Sequence, residues 1–193
     1  MSVGVRPPAG LMAWNLVSLN VGWFACVLAA ANGRPALGLP VVAVLLAIHL
    51  TLMPARRREA LLIAALAGFG YVADSIPVLL GLFAFPEAAR LGGPSPIWMV
   101  ALWCNFATAP SVALYWLAGR PLLAAALGAV GGPLAYFGGL QLGAMLVPAG
   151  TGAMLAAVAV EWAIATPLVM WAAVRLGRVS GQPAPMEALA WRP

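Results

Sequence analysis

The segment 59–81, "EALLIAALAGFGYVADSIPVLLG", decides the fold class of this chain. Only Glu59 and Asp74 in it carry a carboxyl group. A helix needs about 20 mostly apolar residues to cross the hydrocarbon core of a bilayer. An open sheet cannot satisfy its backbone in lipid, so the segment predicts a membrane-spanning helix. Asp74 and Pro77 then raise a question, namely what a carboxyl group does at that depth.

The whole chain shares this apolar character. Of its 193 residues, 64% are hydrophobic and 8% are charged, and the mean hydropathy is +0.98. Soluble domains carry about 25% charged residues, so a water-soluble globule is excluded and the lipid bilayer is the expected partner. The net charge of +5 comes from arginines in predicted loops. Such a distribution indicates orientation in a membrane, and we expect no nucleic-acid partner.

Apolar stretches separated by Gly, Pro and Arg predict an all-α fold. The predicted fold class is an integral membrane bundle of six transmembrane helices, N-in/C-in, with an inverted 3+3 repeat as a further hypothesis. We expect residues 1–176 to form the transmembrane domain and residues 177–193 to form a short cytoplasmic tail. The predicted spans are about 11–31, 37–54, 59–81, 96–117, 121–147 and 151–174.

The arginines predict the orientation of this bundle. One side would hold Arg34 and Arg90. The other side would hold the remaining eight, Arg6, Arg56, Arg57, Arg58, Arg120, Arg175, Arg178 and Arg192. Cytoplasmic loops carry an excess of basic residues, so both termini are predicted to be cytoplasmic. Asn15, Ser18 and Asn20 interrupt the first apolar run, which favours a retained helix over a cleaved signal peptide.

Polar side chains deep within the spans are the candidates for a ligand or proton pathway. Asn20, Asn105 and Glu161 fall near the predicted midplane, His49 slightly toward the cytoplasm, and Asp74 in the outer half. A charged side chain at a helix centre costs about 2.5–3.5 kcal/mol on insertion scales, so each acid is a site hypothesis by default. The alternative is a protonated carboxyl group that bonds to a neighbouring helix and holds the bundle together.

Asp74 is the stronger of the two acids because of its helical face. Ala67, Gly70, Asp74, Pro77 and Gly81 lie on one stripe of the third span. Small residues let a second backbone approach closely, and a proline frees the carbonyl one turn before it. The stripe therefore predicts a polar notch at Asp74.

His49 is the one histidine in the sequence, which excludes metal centres built from several imidazoles. It is either a hydrogen-bonded structural group or a proton relay, with Glu161 or Asp74 as its partner. The serines lack a GxSxG setting, and the glycine-rich segment 128–139 has neither a lysine nor a preceding strand. We expect no metal and no cofactor.

Aromatic residues beside the deep polar groups predict a pocket. Trp103 lies within a turn of Asn105, and Trp162 follows Glu161 directly. These two, together with Tyr71, are the candidates for lining an apolar ligand cavity. The alternative is that they face lipid or pack in the core. Gly128 and Gly132, and likewise Gly139 and Gly143, are spaced for helix packing.

An internal repeat is a further hypothesis, because "GRPALG" at 33–38 recurs as "GRPLLA" at 119–124. Three spans per unit would place the two units in opposite orientations, as in many transporters. Asp74 and Glu161 would then flank one central site. The residues matched at nearly this offset are Asn20 with Asn105, Asp74 with Glu161, and Pro77 with Pro167.

Four segments resemble a family of small polytopic proteins of the bacterial inner (cytoplasmic) membrane, known as a domain of unknown function. They are "NLVSLNVGWFACVLAAANG", the His49 span, "PIWMVALWCNFATAPSVALYWLAGRP" and "GAVGGPLAYFGGLQLGA". The resemblance covers about residues 10–177 and implies a compact bundle without assigned chemistry. It also implies an association with membrane-lipid modification, because relatives are often encoded near proteins similar to cyclopropane-fatty-acid synthases and flavin-dependent oxidoreductases. It assigns no site residue.

Several functions stay open at this stage. A transporter or flippase would use Asp74, Glu161 and His49 as a proton-linked core, and it predicts a solvated cavity that reaches an acid from one side. A non-catalytic accessory or scaffold subunit of a membrane-lipid-modifying system, with other membrane-protein subunits as partners, predicts tightly packed polar pairs and a large exposed apolar–aromatic face. A lipid-modifying enzyme would use an acid as general acid or base and predicts a cavity open sideways to lipid. A substrate-binding subunit of a larger importer is compatible with the predicted size.

Overall fold

The computed structural model describes residues 6–177, and the regular elements in that range are helical. Within this range five helices are long and apolar enough to cross a membrane, the second of them counted from Pro35 to Leu52, so the chain is a multi-pass membrane protein. Short 3-10 turns occur at Pro35–Leu37, Glu87–Ala89 and Tyr115–Leu117. The α-helices are α1 Ala9–Ala31, α2 Gly38–Leu52, α3 Arg56–Leu79, α4 Ile97–Phe106, α5 Pro121–Gln141 and α6 Thr151–Arg175.

Five of the predicted spans correspond to the five long helices, and glycines decide where two of them end. α3 stops because Gly81 takes a left-handed φ of 70°, which lets the Leu82 amide donate back to the Pro77 carbonyl at 2.9 Å. Gly143, with a φ of 85°, ends α5 in the same way. This is the glycine-terminated helix end in which the last free carbonyls are paired. The predicted fifth span, 121–147, therefore overshoots the helix.

The prediction of a continuous helix over 96–117 is wrong. α4 ends at Phe106, and residues 107–114 form turns that are buried through Ala113. Pro110 lacks an amide proton and disfavours helical backbone at the residue before it. The freed backbone is paired inside the protein, since the Ala113 amide donates to Asn15 Oδ1 at 3.3 Å and the Trp116 indole donates to the Ala113 carbonyl at 3.0 Å. Irregular backbone is tolerated at membrane depth when it is buried in this manner.

Residues 95–111 nevertheless run the length of α3 in the antiparallel direction. Three hydrogen bonds mark this path, joining Ser95 to Ser75, Trp103 to Asp74 and Ser111 to Glu59. The segment thus starts near the end of α3 and returns to its first turn. About 22 Å separate Glu59 from Asp74 along the helix axis, at 1.5 Å per residue.

Contacts between the connecting segments show which helix ends lie together. A single antiparallel bridge pairs Ala84, after α3, with Leu146, after α5. At the opposite end, a Cβ added to Gly177 would lie 2.8 Å from Nη1 of Arg58, so the end of α6 is beside the start of α3. The rest of the predicted tail, 178–193, with Arg178 and Arg192, lies outside the described residues.

The helices pack as two groups joined through α3. α5 and α6 form a closely packed hairpin, while α1, α2 and α4 pack on one another, and α3 contacts both α4 and α6. Small residues allow the hairpin: a Cβ at Gly128 would overlap the Trp162 carbonyl, and a Cβ at Gly132 would overlap the Trp162 ring. The prediction that Gly128 and Gly132 are spaced for helix packing is confirmed.

The proposed repeat is matched locally. Gly33 and Gly119 have φ of 67° and 75°, and the arginines that follow have φ/ψ of −126°/52° and −122°/65°. The larger pattern differs, because α4 is much shorter than α1, and α2 contacts α3 far less than α5 contacts α6. The inverted repeat of the whole chain stays a prediction.

Candidate functional site: a buried carboxyl pair behind a lateral cavity

Asp74 joins three helices through two hydrogen bonds. Its side chain is fully buried on α3. Oδ2 accepts a hydrogen bond from the indole Nε1 of Trp103 on α4 at 2.8 Å, and Oδ1 accepts one from the hydroxyl of Tyr136 on α5. Hydrogen bonds to an ionised acceptor are roughly twice as strong as neutral ones. The predicted polar notch is therefore filled by two aromatic donors.

Glu161 on α6 completes this group. It lies close enough to Asp74 and Tyr136 for their charges to interact. Both of its carboxyl oxygens are buried, and neither takes part in a hydrogen bond of normal geometry within residues 6–177. The two acids that the sequence analysis selected are thus brought together, although they come from helices far apart in the chain. We refer to Asp74, Tyr136 and Glu161 as the carboxyl cluster.

A stacked pair of tryptophans lies next to the carboxyl cluster. The rings of Trp103 and Trp162 are 4.7 Å apart between centroids and 14° from parallel. Each ring is pressed against a glycine, because a Cβ at Gly70 would overlap Trp103 and a Cβ at Gly132 would overlap Trp162. The two stacked indole rings are therefore held between Gly70 of α3 and Gly132 of α5. A residue larger than glycine at either position would displace the stack.

A cavity of about 700 Å³ lies against this stack. It is bounded by α1 on one side, α5 on the other and α4 at its base, and Trp103, Tyr136 and Trp162 form the wall in front of the two acids. α1 and α5 make few contacts with each other, and the rims of the cavity are exposed apolar residues such as Phe24 and Leu134. Because such rims face lipid in a membrane, the cavity opens sideways between α1 and α5.

A family model described as "Protein of unknown function (DUF2878)" matches residues 12–168. The chain belongs to this family. The matched range contains the carboxyl cluster and the tryptophan stack. It also contains the α-helices, apart from the first residues of α1 and the last residues of α6. No curated protein and no solved structure matches the chain.

The remaining candidates of this DUF2878 protein lie at different places. Asn105 is buried, lines the cavity, and donates to the Leu19 carbonyl at 3.0 Å. Asn20 is exposed at the rim and donates to the Leu16 carbonyl of its own helix at 2.8 Å. Tyr71 does not line the cavity, since its hydroxyl donates to the Gly93 carbonyl in the loop after α3. Of the three predicted pocket residues, Trp103 and Trp162 line this cavity and Tyr71 does not.

His49 belongs to a second polar group at the other end of α3. Its Nε2 lies 3.6 Å from Oε1 of Glu59, which also accepts a hydrogen bond from Ser111 at 2.6 Å. Glu59 is fully buried. The histidine thus faces Glu59, and neither Asp74 nor Glu161 is its partner. This group holds the turns after α4 against the start of α3.

Glu59 is absent from the predicted site residues because three arginines precede it, which is typical of a solvated loop. A signal was available, since Glu59, Leu62, Leu66 and Gly70 continue the stripe of Asp74 at spacings of three and four, and all are buried. Asn15 was missed as well, although it bonds Thr108 at 2.9 Å and so fixes the turn where α4 ends. Across residues 6–177, no three His, Cys, Asp or Glu residues come together in a metal-binding arrangement.

Proposed function

We propose that this protein binds an apolar or lipidic molecule, which enters from the bilayer into the cavity between α1 and α5. The observation that carries the proposal is the sideways opening with exposed apolar rims. The volume, about 700 Å³, falls within the roughly 300–1,000 Å³ of pockets that enclose small ligands. A molecule dissolved in the membrane could reach this site without passing through water.

The carboxyl cluster adds a capacity for proton exchange to this binding site. A pair of interacting carboxyl groups can hold a proton between them and release it when their surroundings change. Tyr136 lines the cavity and donates to Asp74, so it lies between an occupant and the acids. Movement of the molecule across the membrane, coupled to protonation of Asp74 and Glu161, is the corresponding transport hypothesis.

The two alternative functions, a lipid-modifying enzyme and a scaffold subunit, each agree with one feature of the structure. A lipid-modifying enzyme would also have a cavity open to lipid, but Tyr136 is the one titratable side chain among the described lining residues, and its hydroxyl is engaged by Asp74. A scaffold subunit accounts for the tight packing around Asp74, but it has no use for a cavity of this size. The cavity therefore favours binding over both.

The membrane orientation is part of the proposal. We infer six crossings, with the sixth formed by α4 and the buried turns after it, in the inner membrane and with both termini cytoplasmic. Three described arginines at the start of α3 support it, together with Arg120 before α5 and Arg175 at the end of α6. The bilayer is the one partner that this proposal requires.

Reporter fusions test this orientation. A reporter that is active only in the cytoplasm should be active when fused after Pro193 and when inserted between Met53 and Arg56. The same reporter inserted at Gly92, in the loop between α3 and α4, should be inactive. Activity at all three positions, or inactivity after Pro193, would contradict the inferred number of crossings.

Filling the cavity should abolish binding without disturbing the fold. Gly131 on α5 lines the cavity, and a Cβ added there meets no atom within 4 Å. We expect Gly131→Phe to occupy the space, and to reduce binding of a brominated alkane at least tenfold. Five of the eight tryptophans line the cavity, so quenching of their fluorescence by bromine measures how much of the cavity is occupied. The protein is purified in a detergent that contains no brominated lipid.

The matched control is Gly68→Phe. Gly68 is also an exposed helical glycine whose added Cβ meets nothing within 4 Å, but it lies on α3 away from the cavity. This variant should be quenched as the unmodified protein is. If Gly131→Phe is also quenched normally, the bromine reaches the tryptophans from the detergent, and the proposed binding site is wrong.

A further inference from the structure

Two polar atoms in the cavity wall have no hydrogen-bond partner in the described chain. They are Nε1 of Trp162 and Oγ1 of Thr166, and both are buried. Thr166 is 4% exposed. Because the two residues are four apart on α6, they lie on the same face, one turn above the other. Unpaired buried donors are rare in native proteins, and each one needs an explanation.

The other polar side chains that line the cavity are mostly engaged. Asn20 and Asn105 donate to carbonyls of α1, and Tyr136 donates to Asp74. The indoles of Trp98, Trp103 and Trp116 donate to the Ala89 carbonyl, to Asp74 and to the Ala113 carbonyl, respectively. Apart from the partly buried Trp23, the open hydrogen-bonding capacity lies at Thr166 and at Trp162, whose indole is near the Tyr136 hydroxyl but makes no hydrogen bond of normal geometry with it.

The charges around the cavity restrict what can bind there. No arginine is among the residues that line it, and the sequence contains no lysine. Asp74 and Glu161 lie directly behind its wall. A phosphate or carboxylate would enter this site without a counter-ion, which is strongly unfavourable in an apolar environment.

We propose that the occupant of this cavity is a neutral lipid with a single hydroxyl group, of the chemical class of the long-chain alcohols. This inference rests on the proposed binding function and specifies the ligand of the same site. The hydroxyl oxygen accepts hydrogen bonds from the Trp162 indole and the Thr166 hydroxyl, and the hydrocarbon body fills the apolar space between α1 and α5.

A series of probes with the same chain and different polar ends tests the chemistry. Brominated stearyl alcohol, stearate and stearylamine, and the brominated alkane, are compared by tryptophan quenching at equal mole fraction in detergent, at a pH where stearate is ionised. We expect the alcohol to bind more tightly than the alkane by at least about two- to tenfold, the net value of one of its two hydrogen bonds. Stearate should bind more weakly than the alkane.

Thr166→Val tests the anchoring atom, because valine keeps the shape and removes the hydroxyl. We expect this variant to lose part of the preference for the alcohol over the alkane, measured as the ratio of the two apparent affinities in the same variant. Thr151→Val, at the start of α6 and outside the cavity, is the matched control and should keep the full preference. If Thr166→Val fails to fold, Trp162→Phe replaces it, since phenylalanine lacks the indole donor.

The outcomes separate the two proposals. Equal binding of alcohol, stearate and alkane, all blocked by Gly131→Phe, would overturn the neutral-alcohol inference and leave the binding site standing. Tighter binding of stearylamine than of the alcohol would also overturn it, because the acids would then be selecting a cation. Failure of every probe to respond to Gly131→Phe would overturn the binding function itself.

Discussion

Asp74→Leu is expected to lower the free energy of unfolding by about 2–6 kcal/mol. The Asp74 carboxyl group accepts hydrogen bonds from Trp103 and Tyr136, and leucine would leave both donors buried without this acceptor. Each buried donor without a partner costs about 1–3 kcal/mol. Asp74→Asn should cost about half as much, since its one acceptor oxygen can satisfy only one of the two donors. The measurement is unfolding in SDS–detergent mixed micelles, followed by tryptophan fluorescence.

Tyr136→Phe provides the comparison within the same group. It removes one donor and leaves Asp74 with Trp103, so its cost should be smaller than that of Asp74→Leu. The double variant lacks the phenolic donor. Its loss of stability should therefore be smaller than the sum of the losses in the two single variants, by the energy of that hydrogen bond. Strict additivity, or a stability of Asp74→Leu equal to that of the unmodified protein, would show that these hydrogen bonds do not stabilise the fold.

The sequence predicted the five long helices because hydropathy measures the cost of placing each side chain in lipid. It did not predict the end of α4 at Phe106, since the stretch 97–117 is mostly apolar and contains no charged residue. The break depends on Pro110 within the segment and on Asn15, which comes from another helix and pairs the freed backbone. Such long-range pairing leaves no signal in a local window of sequence.

The site was predictable in part for a similar reason. Depth along a span can be estimated from sequence, and it identified Asp74 and Glu161 as deep acids, but it placed Glu161 near the midplane and Asp74 in the outer half, whereas the structure brings the two side chains together. Depth does not give the direction in which a side chain points. Asn20 is five residues from Asn15, about 140° around the helix at 3.6 residues per turn, so Asn15 is buried while Asn20 is exposed at the rim.

Rotation around α3 explains both the success with Asp74 and the omission of Glu59. The stripe of small residues was assigned from Ala67 onward, where apolar context marks the membrane. Glu59 lies on the buried face of the same helix, but the preceding arginines suggested an exposed loop. A charged residue that continues a helical stripe is better interpreted by its face than by its neighbours in sequence.

Gly132→Ala is expected to destabilise the protein by about 3 kcal/mol, the upper part of the usual range for overpacking. The added Cβ would overlap the ring of Trp162. That ring has no room to retreat, because Trp103 is stacked on its other side and is itself pressed against Gly70. The strain must therefore be relieved by separating α5 from α6 or by breaking the stack. The same SDS unfolding experiment measures the loss.

The neighbouring Gly131→Ala is the matched control, and it should have the opposite sign. Its added Cβ meets no atom within 4 Å, and replacing glycine by alanine inside a helix gains about 0.5–1 kcal/mol. Both substitutions add the same single carbon to adjacent positions of α5, so propensity and hydrophobicity are held constant. Only the contact with the tryptophan stack differs. Equal effects at the two positions would mean that the stack, with Gly70 and Gly132 on its outer faces, does not set the spacing of α3, α5 and α6.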